Sequence, residues 1–136
     1  MTINLYLPST DDVRAHLGAA RRAGVLPERS LHFLVGDFHN FAKMGIFVDD
    51  VPPDPPLTER VRVLQNSLTV LSEAVVVHSV LLAISRPGAA EVTSGDLDWR
   101  DAFSTATAAA DITNHGVYLV TAAHVGRLGG PTSMAA

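Results

Sequence analysis

Apolar residues recur along this chain at three- and four-residue spacings, and that pattern predicts helices. The first runs from about Ser9 to Ala23, with Val13, Leu17 and Ala20 as its apolar stripe. Ser9 followed by Asp12 makes a capping-box-like start, and Gly24 is placed to end the helix. A second helix is expected from Pro27 or Glu28 to about Gly45, on the recurrence Leu31, Leu34, Val35, Phe38, Phe41 and Ala42. Residues 49–56 hold four prolines and read as an extended linker, because proline lacks a donor and restricts its predecessor. A third helix is expected over Leu57 to Arg86. One stripe is Val61, Leu64, Leu68, Leu71, Val75, His78 and Leu82; a second is Val63, Asn66, Val70, Glu73, Val77, Val80 and Ile84. A helix apolar on two stripes is buried on two sides. Pro87-Gly88 ends it, residues 87–98 form a loop, and a fourth helix is expected from Asp98 to Val125. Its small residues between Ala102 and Ala110 allow close approach of a neighbour.

These elements define an all-α fold: two shorter helices, a proline linker, then a long helical hairpin. Residues 1–8 read as an arm, because Ile3, Leu5 and Leu7 alternate with Thr2, Asn4 and Tyr6. Residues 9–126 form one domain, and residues 127–136 read as a mobile tail.

Composition narrows the class. The chain has 136 residues, 47% hydrophobic and 18% charged, with a formal net charge of −4 and pI near 5.8. That balance provides no basic face for nucleic acid or anionic lipid. The absence of cysteine excludes disulfide scaffolds and thiolate chemistry. The N-terminus carries no basic n-region or long apolar run, and Ala74 to Ile84 is too short to span a bilayer. The expectation is a cytoplasmic protein with no membrane partner. Two long helices, apolar on more than one face, point to a dimer or higher oligomer.

Polar residues on otherwise apolar faces are the candidate site: Asn66, Glu73 and His78 on the third helix, and Asp111, Asn114, His115, Tyr118 and His124 on the fourth. Asp111 and His115 would share a helical face. A buried charge must be paired or hold a cation. Three arrangements fit: a structural network pairing Glu73 with His115 or His78 with Asp111, a Mg²⁺ or Mn²⁺ site built on Glu73 and Asp111, or a metal-free proton-transfer pair of His115 and Asp111. The chain lacks His-Glu-x-x-His, a phosphate loop ending in Lys-Ser or Lys-Thr, and Gly-x-Ser-x-Gly.

The order of features resembles the MazG-like, all-α nucleotide pyrophosphohydrolases. The corresponding pieces are Phe38-His39-Asn40-Phe41, the prolines from Pro52 to Pro56, Arg62-Val63-Leu64-Gln65 leading to Leu71-Ser72-Glu73-Ala74, and Ala110-Asp111 through Tyr118 to Val120. The family's acid cluster would fall on Asn66, Ser67 and Val70, none of them acidic, and a further acid would fall on Ala108. The resemblance thus implies a degenerate, homodimeric member that binds a nucleotide or phosphate ligand with weak or absent hydrolysis. Its ligand-binding residues would be Asn66, Glu73, Asp111, His115 and Tyr118, with Glu73 and Asp111 holding any metal. A helical assembly or protein-interaction subunit without enzymatic activity is the alternative.

Overall fold

The structure, a computed structural model, describes residues 5–49, 51–52 and 54–128. The expected arm residues 1–4 and the expected tail from residue 129 lie outside these. The fold is not all-α: a five-stranded mixed sheet lies between one helix on one face and two on the other. Among the described residues there is no helical bundle and no long helical hairpin. In chain order the elements are α1 (Thr10–Arg22), β1 (Ser30–Gly36), β2 (Ala42–Val48), α2 (Leu57–Ala74), β3 (Ser79–Ser85), α3 (Ser94–Ala110), β4 (Thr113–Val120) and β5 (Val125–Arg127).

The sheet order is β2-β1-β3-β4-β5. β1 is antiparallel to both β2 and β3, β3 is parallel to β4, and β5 returns antiparallel to β4. β2, β3 and β4 therefore run the same way, joined by the crossover helices α2 and α3. Such crossovers place the start of each helix near the carboxyl ends of the strands.

The second predicted helix is instead the β1–β2 hairpin. Leu31, Phe33 and Val35 face α2 and α3, while Leu34 faces α1, so both faces of β1 are covered. The turn is set by Asp37, whose Oδ1 accepts from the amides of His39 and Phe41, and by Asn40 at φ 69°. Asparagine tolerates that left-handed conformation. The third predicted helix is correct over its first part and ends at Ala74; Ser79–Ser85 is a strand buried at every position. The fourth begins earlier, at Ser94, and ends at Ala110; Asp111 caps it at φ 56°. Thr113–Val120 is strand. Gly116, at φ 107°, sits where β4 carries an extra residue against Val80–Leu82, and a Cβ there would lie 2.7 Å from the Arg127 guanidinium.

α1 matches its expectation. Ser9 caps it by accepting from the Asp12 amide at 3.3 Å, and Val13 and Leu17 are buried against Leu34, Leu81 and Tyr118. Of the expected linker, Asp50 and Pro53 lie outside the described residues, and Pro56, before α2, is extended at φ −64° and ψ 159°. Leu5 to Leu7 pairs with the hairpin end: the Ala42 amide donates to Leu5 O (2.8 Å) and the Leu7 amide to Asn40 O (3.0 Å). No helix among the described residues is long and apolar enough to cross a membrane.

Candidate functional site

A cleft of about 370 Å³ opens at the carboxyl end of β3. This is where open α/β sheets commonly take ligands, outside the carboxyl ends of their strands. Leu31, Val51, Pro52, Ile84 and Trp99 supply apolar surface, and Arg29, Arg60 and Arg86 supply positive charge. Ser94, Gly95 and Asp96, the first turn of α3, close one side.

Asp96 organises this end of the molecule. Its carboxylate is 3% exposed and takes a two-pronged bond from Arg86: Nε to Oδ1 and Nη2 to Oδ2, both 2.8 Å. It also closes a capping box. Thr93 Oγ1 accepts from the Asp96 amide at 3.1 Å, and Asp96 Oδ2 accepts from the Thr93 amide at 2.9 Å. Burial opposes ionisation of Asp96, but the bonds from Arg86 and Thr93 outweigh it and hold the carboxyl below its usual range. Arg86 is saturated in turn: Nη1 donates to Pro87 O and Ala89 O, and Nη2 also donates to Glu91 O. One guanidinium thus ties the loop after β3 to the cap of α3.

Arg60 does the same for the proline linker. It is 1% exposed and continues the stripe of Leu64, Leu68 and Leu71 on α2. Nε donates to Pro55 O (2.8 Å), Nη1 to Gly95 O (2.9 Å) and Nη2 to Asp54 Oδ1 (2.8 Å). Its guanidinium carbon lies 5.0 Å from the centroid of the Trp99 ring, within cation–π range. Buried guanidinium is tolerated because it is weakly hydrated and each of its nitrogens donates one of these bonds. Asp54, its acidic partner, is 87% exposed at the rim.

The residues singled out from the sequence lie elsewhere. Asn66 is exposed on α2, and Glu73 is exposed in its last turn. Asp111 is exposed at the end of α3, near the opposite, amino end of β4. His115 is half-buried on β4, not one helical turn from Asp111; its Nε2 lies 3.1 Å from Asn40 Oδ1. Burial, then the nearby Arg127 charge, lowers its pKa. Tyr118 is buried beneath α1. His78 is exposed with its ring edge-on to Phe38. Neither Glu73 nor Asp111 forms an ion pair with a histidine among the described residues, and no group of three His, Asp or Glu there is placed to hold a metal ion. Glu73 and Asp111 therefore do not fit the divalent cation that the resemblance implied.

Arg60, Arg86 and Asp96 were the functional candidates that sequence reasoning missed. Two signals pointed to them: Thr93-x-x-Asp96 has capping-box spacing, and Arg60 stands on a leucine stripe where an apolar residue is expected. Comparison with protein-family models, with curated proteins and with solved structures gives no match. The all-α architecture that the MazG-like resemblance implied is not the one seen, so that resemblance supports nothing further.

Proposed function

We propose that this protein is a ligand-binding domain whose cleft at the carboxyl end of β3 takes a small anionic molecule with an apolar portion. The observation that carries this reading is the charge of the cleft. Three arginines line it against two aspartates, and both aspartates are engaged by arginines. This excess of positive charge occurs in a chain of net charge −4. Arg29 is exposed at the rim and forms no ion pair among the described residues. The first turn of α3 adds amides at the positive end of the helix dipole. The apolar floor suits the non-ionic part of the same molecule.

Binding is favoured over catalysis by the chemistry of the lining. Its hydroxyls belong to Ser30, Ser85, Thr93 and Ser94, and no histidine, lysine or tyrosine stands beside them in the cleft. Asp96 is committed to Arg86, so it is not free to accept a substrate proton. A nucleotide or other phosphate compound, the ligand expected from the sequence, belongs to this class and is the first to try. Thermal-shift and calorimetric titration with nucleotides, each with and without Mg²⁺ or Mn²⁺, and with organic carboxylates is the test. The expected result is stabilisation by at least one anion, weakened by Arg29→Ala and by salt. No stabilisation by any of them would overturn the reading.

A further inference from the structure

The two edges of the sheet are unequal. β5 is three residues long, whereas β2 has seven. The hairpin end of β2 is already paired through Leu5 to Leu7 at Asn40 to Ala42. Lys43 is an extra residue there, since Gly36 faces Ala42 and Val35 faces Met44. From Met44 to Val48 the outer edge pairs with nothing among the described residues. Edge strands are ordinarily protected by proline, charge or a bulge. This window, Met44-Gly45-Ile46-Phe47-Val48, carries none of the three, and Phe47 is 46% exposed.

The residues flanking the window are Lys43 on one side and Asp49 on the other, both exposed. That arrangement is self-complementary in one register. Consider two copies paired antiparallel about a two-fold axis at Ile46. Ile46 then faces its own copy, Met44 faces Val48, and Gly45 faces Phe47. Lys43 of each copy faces Asp49 of the other, producing two ion pairs by symmetry. An axis at Gly45 sets glycine against glycine and leaves both charges without opposite partners. An axis at Phe47 sets Asp49 against Gly45. Parallel in-register pairing sets Lys43 beside Lys43 and Asp49 beside Asp49. Directly opposed side chains in an antiparallel pair have Cβ atoms about 4.5–5.5 Å apart, close enough for opposite charges to attract and like charges to repel. Lys43 Nζ donates to Val76 O at 2.6 Å, which leaves two of its three donors for a carboxylate. An aromatic ring across from an edge glycine also covers the backbone that the glycine exposes.

We infer that β2 is the surface through which two copies of this chain associate, antiparallel about Ile46, joining their sheets into one of ten strands. The interface is isologous, as a two-fold dimer requires. It rests on residues 43–49, none of which lines the cleft.

Sedimentation velocity of the full chain over a range of micromolar concentrations is the test, with circular dichroism confirming that each variant is folded. The full chain is expected to dimerise. Lys43→Glu alone and Asp49→Lys alone each set like charges opposite one another twice, and each is expected to weaken the dimer roughly tenfold. The double variant exchanges the two charges and is expected to recover most of the loss. Three results would overturn the proposal: a monomer at every concentration, a dimer indifferent to both single reversals, or reversals that the double variant fails to rescue. A full chain that stays monomeric but dimerises once residues 1–4 are removed would also overturn it, because the chain's own N-terminus would then hold the edge.

Discussion

The two ends of the sheet treat charge in opposite ways. At the carboxyl end of β3, Arg60 and Asp96 are buried, and they and Arg86 are tied to carbonyls, an amide or an opposite charge. At the other end, Glu73 and Asp111 are exposed, and their carboxylates form no ion pair among the described residues. The difference teaches that acidic residues in an apolar stretch mark a site only where the backbone closes around them. Asp96 is placed by a capping box and is itself buried in the first turn of α3. Asp111 is placed at a helix end that opens outward, and its backbone matters more than its carboxylate.

The strongest way to break this contrast is to remove Asp96. Asp96→Ala should cost about 3–5 kcal/mol, since it leaves the Arg86 guanidinium without its acid and opens the cap. Urea unfolding with an unchanged m-value is the measurement; a loss below about 1 kcal/mol would show that Arg86 is held adequately by its carbonyl partners. Acid titration comes next. His32, on β1, has a buried Nδ1 with no hydrogen-bond partner, and burial, with a smaller contribution from His16, pushes its pKa down to about 4. The unfolded chain takes up this proton near 6.5, so the stabilisation is complete above 6.5 and is lost as pH falls toward 4. The linkage is of the order of 3 kcal/mol. His16 and His115 are lowered too, by burial first, so their contributions are likewise lost as pH falls below 6.5. The Asp96 contribution has its own window: it is present above the ordinary carboxyl pKa of 3.8 and is lost below it. Unfolding free energy against pH should therefore fall in two stages, and His32→Leu should flatten the first while leaving the second. A single stage below pH 4 would exclude the histidine contribution. The smallest effect belongs to the open end. Glu73→Gln and Asp111→Asn should each change stability by no more than about 0.5 kcal/mol, as exposed substitutions do, and neither should alter ligand binding in the cleft. A large loss from Asp111→Asn would restore that residue to the site first read from the sequence.

What was legible in the sequence is the set of features governed by local chemistry. Ser9 and Gly24 bound α1, the prolines from Pro52 to Pro56 end the hairpin unit, and Leu57 starts α2. What was not legible is where helix gives way to strand. Leu31 to Val35, Val80 to Ile84 and Val117 to Val120 are covered on both faces, so they show no alternation and satisfy a helical spacing by density alone. β-branched residues at Val75, Val76, Val77, Val80 and Ile84 were the available counter-signal. The breaks themselves are subtle: Val75-Val76-Val77-His78 and Asp111-Ile112 contain neither proline nor glycine, and Asp111 turns the chain with a left-handed φ. The site was missed for a related reason. Its charged residues belong to different elements and meet only once the sheet has brought β3, α2 and α3 together.

The position of β3 has a consequence for the order in which the chain can be assembled. β1 and β2 make a hairpin from neighbouring sequence, but the inner edge of β1 is completed only by residues 79–85. During synthesis the ribosome must therefore release α2 before that edge can close. Until then the nascent hairpin presents Leu31, Phe33 and Val35 without the cover of the later helices. The growing chain is thus most exposed to misassociation while residues 57–85 are being made, and slower translation of that segment would lengthen the hazard without changing the finished molecule.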